Sequence, residues 1–166
     1  MTNITICLIT EDDIKALYPL GNNKEVSWMS GGGLTYPLTY EEFRTKKTIA
    51  LSKKVGEMQS YVIRYNDIAV GSIGYFIREE NTPLEIGYWI GKSYWGKGIA
   101  TKALTLAIEA MRADDITGTV VATALVDNAS SRHILIKCGF REIRLEKFMS
   151  LARGIEVEGA VHSIEL

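Results

Sequence analysis

The densest run of residues able to do chemistry lies between Glu85 and Thr101. Glu85-Ile86-Gly87-Tyr88-Trp89-Ile90 reads as a strand. Gly91-Lys92-Ser93-Tyr94 follows as a short turn, and Trp95-Gly96-Lys97-Gly98-Ile99-Ala100-Thr101 as a glycine turn that opens a helix. The first N–H groups of a helix have no intrahelical partner and carry partial positive charge. Glycines at 96 and 98 let an anion approach that backbone closely, which suits a phosphate or pyrophosphate, and Lys97 adds charge. Two nucleotide-binding patterns fail here. Gly91-Lys92-Ser93 would close a P-loop only with a glycine where Ile86 stands. Gly96-x-Gly98-x-x leads to Thr101 instead of a glycine and lies past the middle of the chain, so it is not a dinucleotide fingerprint. The bland alternative is a glycine turn ahead of a packing helix.

Other candidate groups are sparse. Asn128 reads as a helix N-cap with Ser131 at the third helical position, a pairing favoured for local reasons alone. His133 and His162 are the two histidines; isolated on separate elements, they make a poor metal site, and no metal is expected. His133 is expected to be a solvated helix residue, and His162 is a weak candidate for bordering an acceptor pocket. Cys7 and Cys138 match neither a metal spacing nor a CxxC motif and read as small buried hydrophobes.

The elements that must position these groups follow from local signals. Ile4, Ile6 and Leu8 alternate with Thr5 and Cys7, a first strand. Thr10 caps a helix with Asp12 and Asp13 in its first turn and Ile14, Leu17 and Tyr18 on its buried face. Thr39 to Lys54 reads as a further helix, with Thr39 and Glu42 forming a capping box. Between the helical regions lies Gly31-Gly32-Gly33, flanked by Trp28, Tyr36 and Tyr40, aromatic residues that line an acceptor site or belong to the core. Tyr61–Tyr65 and Ile68–Ile77 form a hairpin around Asn66-Asp67, with Gly71 and Gly74 marking a bulge or close packing. Leu84–Ile90 is the next strand. Alternation places Glu85, Gly87 and Trp89 on one face and Ile86, Tyr88 and Ile90 on the other. The segment from Gly98 to Arg112 is helical, with Ile99, Ala103, Leu106, Ala107 and Ala110 apolar. Thr119–Leu125 is a strand. Asn128–Lys137 is a helix closed at Gly139, and Phe140–Phe148 and Ile155–Leu166 are the last two strands. This order predicts a mixed α/β (α+β) domain on one central sheet.

The 166 residues suffice for one domain with a real core, expected to span 1–166. A net charge of −1 argues against general binding to nucleic acid or to an anionic membrane. No basic-then-apolar leader begins at Met1, and no apolar run nears the ~20 residues of a membrane span. Both point to the cytoplasm, so the glycosylation triplets at Asn3 and Asn128 are chance matches.

At the glycine turn the chain resembles a known family. Glu-Ile-Gly-Tyr-Trp-Ile followed by Tyr-Trp-Gly-Lys-Gly-Ile-Ala-Thr (Tyr94–Thr101) is similar to the acetyl-CoA signature of the GNAT N-acetyltransferases. Asn128-Ala129-Ser130-Ser131 with Lys137-Cys138-Gly139-Phe140 is similar to the later block of its RimJ/RimL branch, the ribosomal-protein N-terminal acetyltransferases. The resemblance spans essentially the whole chain and implies a mostly antiparallel sheet of six to seven strands flanked by helices. The family's Arg or Gln ahead of the first glycine is absent, so the pyrophosphate would rest on backbone N–H groups.

The resemblance also implies roles. Acetyl-CoA is the co-substrate, and Trp95, Gly96, Lys97, Gly98, Ile99, Ala100 and Thr101 hold its pyrophosphate. Backbone groups near Trp89 and Ile90 pair with the pantetheine arm, as does the side chain of Asn128. Transfer to an amine requires a neutral amine, a donor to the developing oxyanion and a donor to the departing thiolate. Glu85 is the implied base, acting through water, against the alternative of a solvated or salt-bridged strand-end residue. Ser131 is the implied donor to sulfur. The tyrosine many members carry seven residues after the asparagine is here Leu135, so the usual general acid is missing. The acceptor is a primary amine, a protein N-terminus or a small molecule, and a homodimer is compatible with the family. The competing reading is a non-catalytic acyl-CoA-binding module on the same fold; a weaker one is a nucleotide-binding domain using Gly91-Lys92-Ser93.

Overall fold

The computed structural model describes residues 2–166. Seven strands form one sheet: β1 (Ile4–Leu8), β2 (Met58–Tyr65), β3 (Ile68–Ile77), β4 (Leu84–Ile90), β5 (Thr119–Leu125), β6 (Arg141–Ser150) and β7 (Ile155–Glu165). Their order is β1-β2-β3-β4-β5-β7-β6. Every neighbouring pair is antiparallel except β4 and β5. That one parallel pair needs a crossover, and helix α4 (Ile99–Ala113) supplies it. The other helices are α1 (Glu11–Gly21), α2 (Lys24–Met29), α3 (Tyr40–Thr48) and α5 (Ala129–Lys137).

The two faces of the sheet carry separate cores. Ile73, Tyr75, Ile86 and Ile90 pack with α4 and with Leu135 of α5 on one face. Val62, Ala69 and Trp89 pack on the other with Ile14 and Leu17 of α1 and Phe43 of α3. The alternation read in β4 therefore holds: Trp89 belongs to one core, Ile86 and Ile90 to the other. On α4 the buried stripe is Ile99, Ala103, Leu104, Ala107, Ile108 and Met111. Leu106 and Ala110 are only partly buried, so the apolar face is turned by one residue from the sequence reading.

The expected capping box of Thr39 and Glu42 forms at α3, and the cap at Thr10 proves to be a second one, exchanging hydrogen bonds with Asp13 at the start of α1. Asp13 is 4% exposed and also meets the guanidinium of Arg64, which pins α1 to β2. The helix expected over Thr39–Lys54 is shorter: α3 stops at Thr48 and tightens into a 3-10 turn over Ile49–Ser52. Ile49 and Leu51 are 47% and 45% exposed, so no buried face draws the helix onward. The short α2 is not separated in the sequence reading, although Asn23 caps it through the N–H groups of Glu25 and Val26. At Asn66 and Asp67 both φ angles are positive, 50° and 67°, as a tight two-residue hairpin requires. A bulge lies opposite Ile63/Arg64, and Gly71 sits beside it because a Cβ there would stand 2.2 Å from the Trp89 carbonyl.

Cys7 is exposed, contrary to the buried reading. It lies at the end of edge strand β1, where Cys7 and Leu8 are both exposed while Ile4, Thr5 and Ile6 are partly buried. Cys138 is partly buried, with its thiol 3.6 Å from the Thr101 carbonyl.

Candidate active site

β4 hydrogen-bonds to β3 along its whole length but to β5 only at Leu84 and Glu85. Beyond Glu85 the two parallel strands part, and the outer backbone edge of residues 86–90 is left without a β5 partner. The parting opens a cleft of about 840 Å³. It runs from the turn at Trp95–Thr101, between β4 and α5, to the Gly31–Gly33 loop and the β6–β7 hairpin. The exposed Gly87 faces open space with nothing within 4 Å of where a Cβ would be.

The glycine turn has the geometry of an anion cradle. Gly96 and Gly98 are left-handed at φ 74° and 72°, and Gly98 caps α4 with no side-chain hydrogen bond to its first turn. The first bond into the helix is Lys102 N–H to the Gly98 carbonyl. Among the described residues no acceptor meets the N–H groups of residues 96–101. Trp95 braces the turn by donating its indole N–H to the Ile90 carbonyl at 2.7 Å. That carbonyl is thereby spoken for, so the free polar edge of β4 lies nearer its middle. Ile99 is buried in the core and, with Ala100 and Thr101, lines the cleft. Lys97 stacks over Tyr65 and Tyr94, with ring centroids 5.6 and 5.2 Å away. Among the described residues no carboxylate pairs with its charge beside the turn.

Glu85 lines the cleft on the face it shares with Trp89. Its side chain is 14% exposed, and both carboxylate oxygens lie within 2.8 Å of one Arg78 nitrogen. The salt-bridged alternative is thus part of its environment. An ionised carboxylate held this way can still order a water on its remaining lone pairs.

Ser131 meets a residue that the sequence reading placed on a strand face without a role. Its hydroxyl is 2.9 Å from the Tyr88 hydroxyl, joining α5 to β4 across the cleft. Burial pushes the Tyr88 phenol up to about 12, the bond to Ser131 opposing the shift, so the phenol stays protonated at neutral pH. Leu135, where a tyrosine would be expected, is 1% exposed and part of the core. A phenol thus enters the site from β4 instead of α5. Nothing local marks Tyr88; its pairing with Ser131 exists only once α5 docks.

Asn128 spends both ends of its amide inside the protein. Its oxygen accepts from the Ser131 N–H at 3.1 Å, and its nitrogen donates to the Met29 carbonyl at 3.2 Å. It lines the cleft and ties the end of α2 to the start of α5. Arg153 reinforces the tie, with two bonds to Asp127 at 2.6 and 3.1 Å and one to the Trp28 carbonyl at 3.1 Å.

Two sequence expectations for the acceptor side are corrected. Trp28, Tyr36 and Tyr40 are neither core nor cleft wall; they are 43%, 49% and 36% exposed. Trp28 lies under the Arg153 guanidinium, 4.7 Å away, and Tyr40 packs edge-on against Tyr18. The glycines of the neighbouring loop do line the cleft. His162 does not border it: fully buried, it has Nδ1 2.9 Å from the Ala160 carbonyl and Nε2 3.6 Å from Glu142. His133 is exposed, as read.

An uncapped helix start, an unpaired strand edge and a hydroxyl pair lie together in one cleft. Residues 3–141 match the family model described as "Acetyltransferase (GNAT) domain". A ribosomal-protein-serine acetyltransferase of Escherichia coli (strain K12) is 28% identical over 137 residues, 80% of this chain and 75% of that protein. A solved structure of RimL with coenzyme A superposes with a TM-score of 0.83 at 21% identity, covering 98% of this chain and 94% of the other. Mycobacterium smegmatis RimJ, solved with a CoA-disulfide, gives 0.83 at 20%, covering 98% and 81%. The chain belongs to the GNAT acetyltransferase family, and it shares the fold of RimL and RimJ.

Proposed function

We propose that this N-acetyltransferase passes the acetyl group of acetyl-CoA directly to a primary amine of a peptide N-terminus or a small molecule. The observation that carries the reading is the cleft itself, with the bare N–H groups of residues 96–101 at one end and the unpaired edge of β4 leading away from them. The pyrophosphate sits on the turn from Trp95 to Thr101. The pantetheine arm lies along β4 near Trp89 and Ile90, passing Asn128, so that the thioester reaches the parting of the strands at Gly87.

The acceptor amine enters from the Gly31–Gly33 side. Glu85, with its carboxylate oriented by Arg78, draws the amine's proton through a water. The amine adds to the thioester carbonyl, and the oxyanion is stabilised by backbone N–H from β4. The C–S bond then breaks. Ser131 donates to the departing sulfur, and Tyr88 holds its hydroxyl in place. Its phenol has too high a pKa to surrender its own proton readily, which suits a hydrogen-bond donor. The chain would act in the cytoplasm, and a homodimer is its proposed assembly.

The test is thiol release. Purified protein is incubated with acetyl-CoA and a panel of amines, and free CoA is read with a thiol reagent while products are weighed by mass spectrometry. Amine-dependent release, lowered in Glu85→Gln with acetyl-CoA affinity unchanged, is the expected result. Tight acetyl-CoA binding with no release from any amine would favour the non-catalytic acyl-CoA-binding module. The pairing of Glu85 with Arg78 and the burial of Leu135 are the observations on that side.

A further inference from the structure

The wall of the cleft on the α1–α3 face of the sheet carries two donors with no acceptor among the described residues. Lys47 of α3 lines the cleft, with its ammonium over the rings of Trp89 and Phe43 at 5.7 and 5.8 Å. No carboxylate pairs with it among the described residues. The Trp89 side chain is 9% exposed, and its indole N–H is buried without a partner. A desolvated cation and an orphaned buried N–H are each costly, and a bound acceptor group would relieve both. Burial, aided by the charge of Lys46, already pushes the Lys47 amine down to about 8.

The other charges around the cleft do not cancel this one. Glu85 is taken by Arg78, and Glu146 lies 3.4 Å from Arg144. Lys97 stands at the cofactor turn over Tyr65 and Tyr94. Lys46, beside Lys47, adds a second positive charge to the same wall. The free charge on the acceptor side is therefore positive, which repels polycations and attracts anions.

We propose that Lys47 and the edge of Trp89 form a subsite for a carboxylate carried by the acceptor itself, so that the substrate is an amine bearing an acidic group. Trp89 is two strand positions from Gly87, about 7 Å. That spacing separates the carboxylate from the reacting amine by several bonds, as in a peptide that begins with glutamate or in a small amino acid. Lys47 acts as a binding residue and takes no part in the chemistry. The cation–π stacking holds its charge in place while the subsite is empty.

The inference rests on the proposed acetyl transfer, and its test separates the two. A peptide beginning with glutamate is compared with its glutamine counterpart, in wild type, Lys47→Met and Lys47→Arg. The expected result is at least a tenfold higher kcat/KM for the glutamate peptide, lying in KM. Lys47→Met should abolish the preference with acetyl-CoA affinity unchanged, and Lys47→Arg should keep most of it. Equal kcat/KM for the two peptides in wild type, or a preference that survives in Lys47→Met, overturns the subsite and leaves the acetyltransferase reading standing. If neither peptide is acetylated, calorimetric titration of each into CoA-loaded protein reads the subsite alone. Selective binding of the glutamate peptide, lost in Lys47→Met, supports it; equal or absent binding of both overturns it.

Discussion

Gly98 tests the anion cradle directly. It sits at φ 72°, ψ 5° and caps α4 without a side-chain bond. A Cβ there would meet nothing within 4 Å, so Gly98→Ala makes no clash and its cost lies in the backbone alone. A left-handed conformation costs an L-residue about 1–2 kcal/mol. The chain can absorb that cost in two ways. If the turn keeps its shape, the free protein loses stability and the thermal midpoint falls by roughly 2–8 °C at this chain length. If the turn relaxes instead, the N–H groups of Ile99, Ala100 and Thr101 swing off the anion. Acetyl-CoA affinity then drops by about 5- to 30-fold. Gly98→Asn should lose less by either route, since asparagine visits the left-handed region more readily, and β-branched Gly98→Val should lose more. Calorimetric titration with acetyl-CoA, beside thermal unfolding with and without ligand, measures both routes. A Gly98→Val protein with wild-type affinity and an unchanged midpoint would refute the claim that this turn's conformation builds the pyrophosphate site.

Ser131→Ala should lower kcat by about 100-fold with acetyl-CoA affinity within about twofold of wild type. Tyr88→Phe should do the same more mildly, and full kcat in Ser131→Ala would remove the hydroxyl pair from thiolate release. Asp13→Asn breaks a buried pair with Arg64 and half of a capping box, so it should cost about 3 kcal/mol in denaturant unfolding; a loss under about 1 kcal/mol would contradict the burial of the pair. Lys47 has its folded pKa lowered to about 8, so between about pH 8 and 10 the unfolded chain holds more protons and stability rises with pH. Lys47→Met should flatten that rise, and an unchanged wild-type-minus-variant difference across pH 7–10 would show that the amine is not desolvated. The raised phenols of Tyr61 and Tyr88, near 12, act in the opposite sense: stability falls as pH climbs through 10 toward 12 and the unfolded tyrosines ionise first.

The features legible in the sequence are those whose physics is local. A cap and its partner sit three residues apart, so Thr10 with Asp13 and Thr39 with Glu42 announce their helices. Alternation sorts β4 into two faces because successive side chains of any strand point opposite ways. The turn at Gly96 and Gly98 is readable because only a few residue types tolerate a left-handed backbone, and with the Asn128 block it carries the family. What distant packing decides is not written locally. Tyr88 and Ser131 are 43 residues apart and meet only when α5 docks on the parted strands. Arg78 reaches Glu85 only because β3 and β4 pair in that register. Trp28, Tyr36 and Tyr40 look like pocket aromatics by type, yet the fold turns them outward, and Cys7 falls in the exposed end of edge strand β1. Lys47 shows the limit most plainly: lysine on a helix reads as solvated, and only the sheet face beneath α3 takes it partly out of water and sets it over Trp89. Sequence determined the elements and the glycine turn, because each depends on neighbours a few residues away; tertiary structure decided the cleft wall around Lys47 and Trp89, because burial and charge pairing depend on which surfaces the sheet brings together.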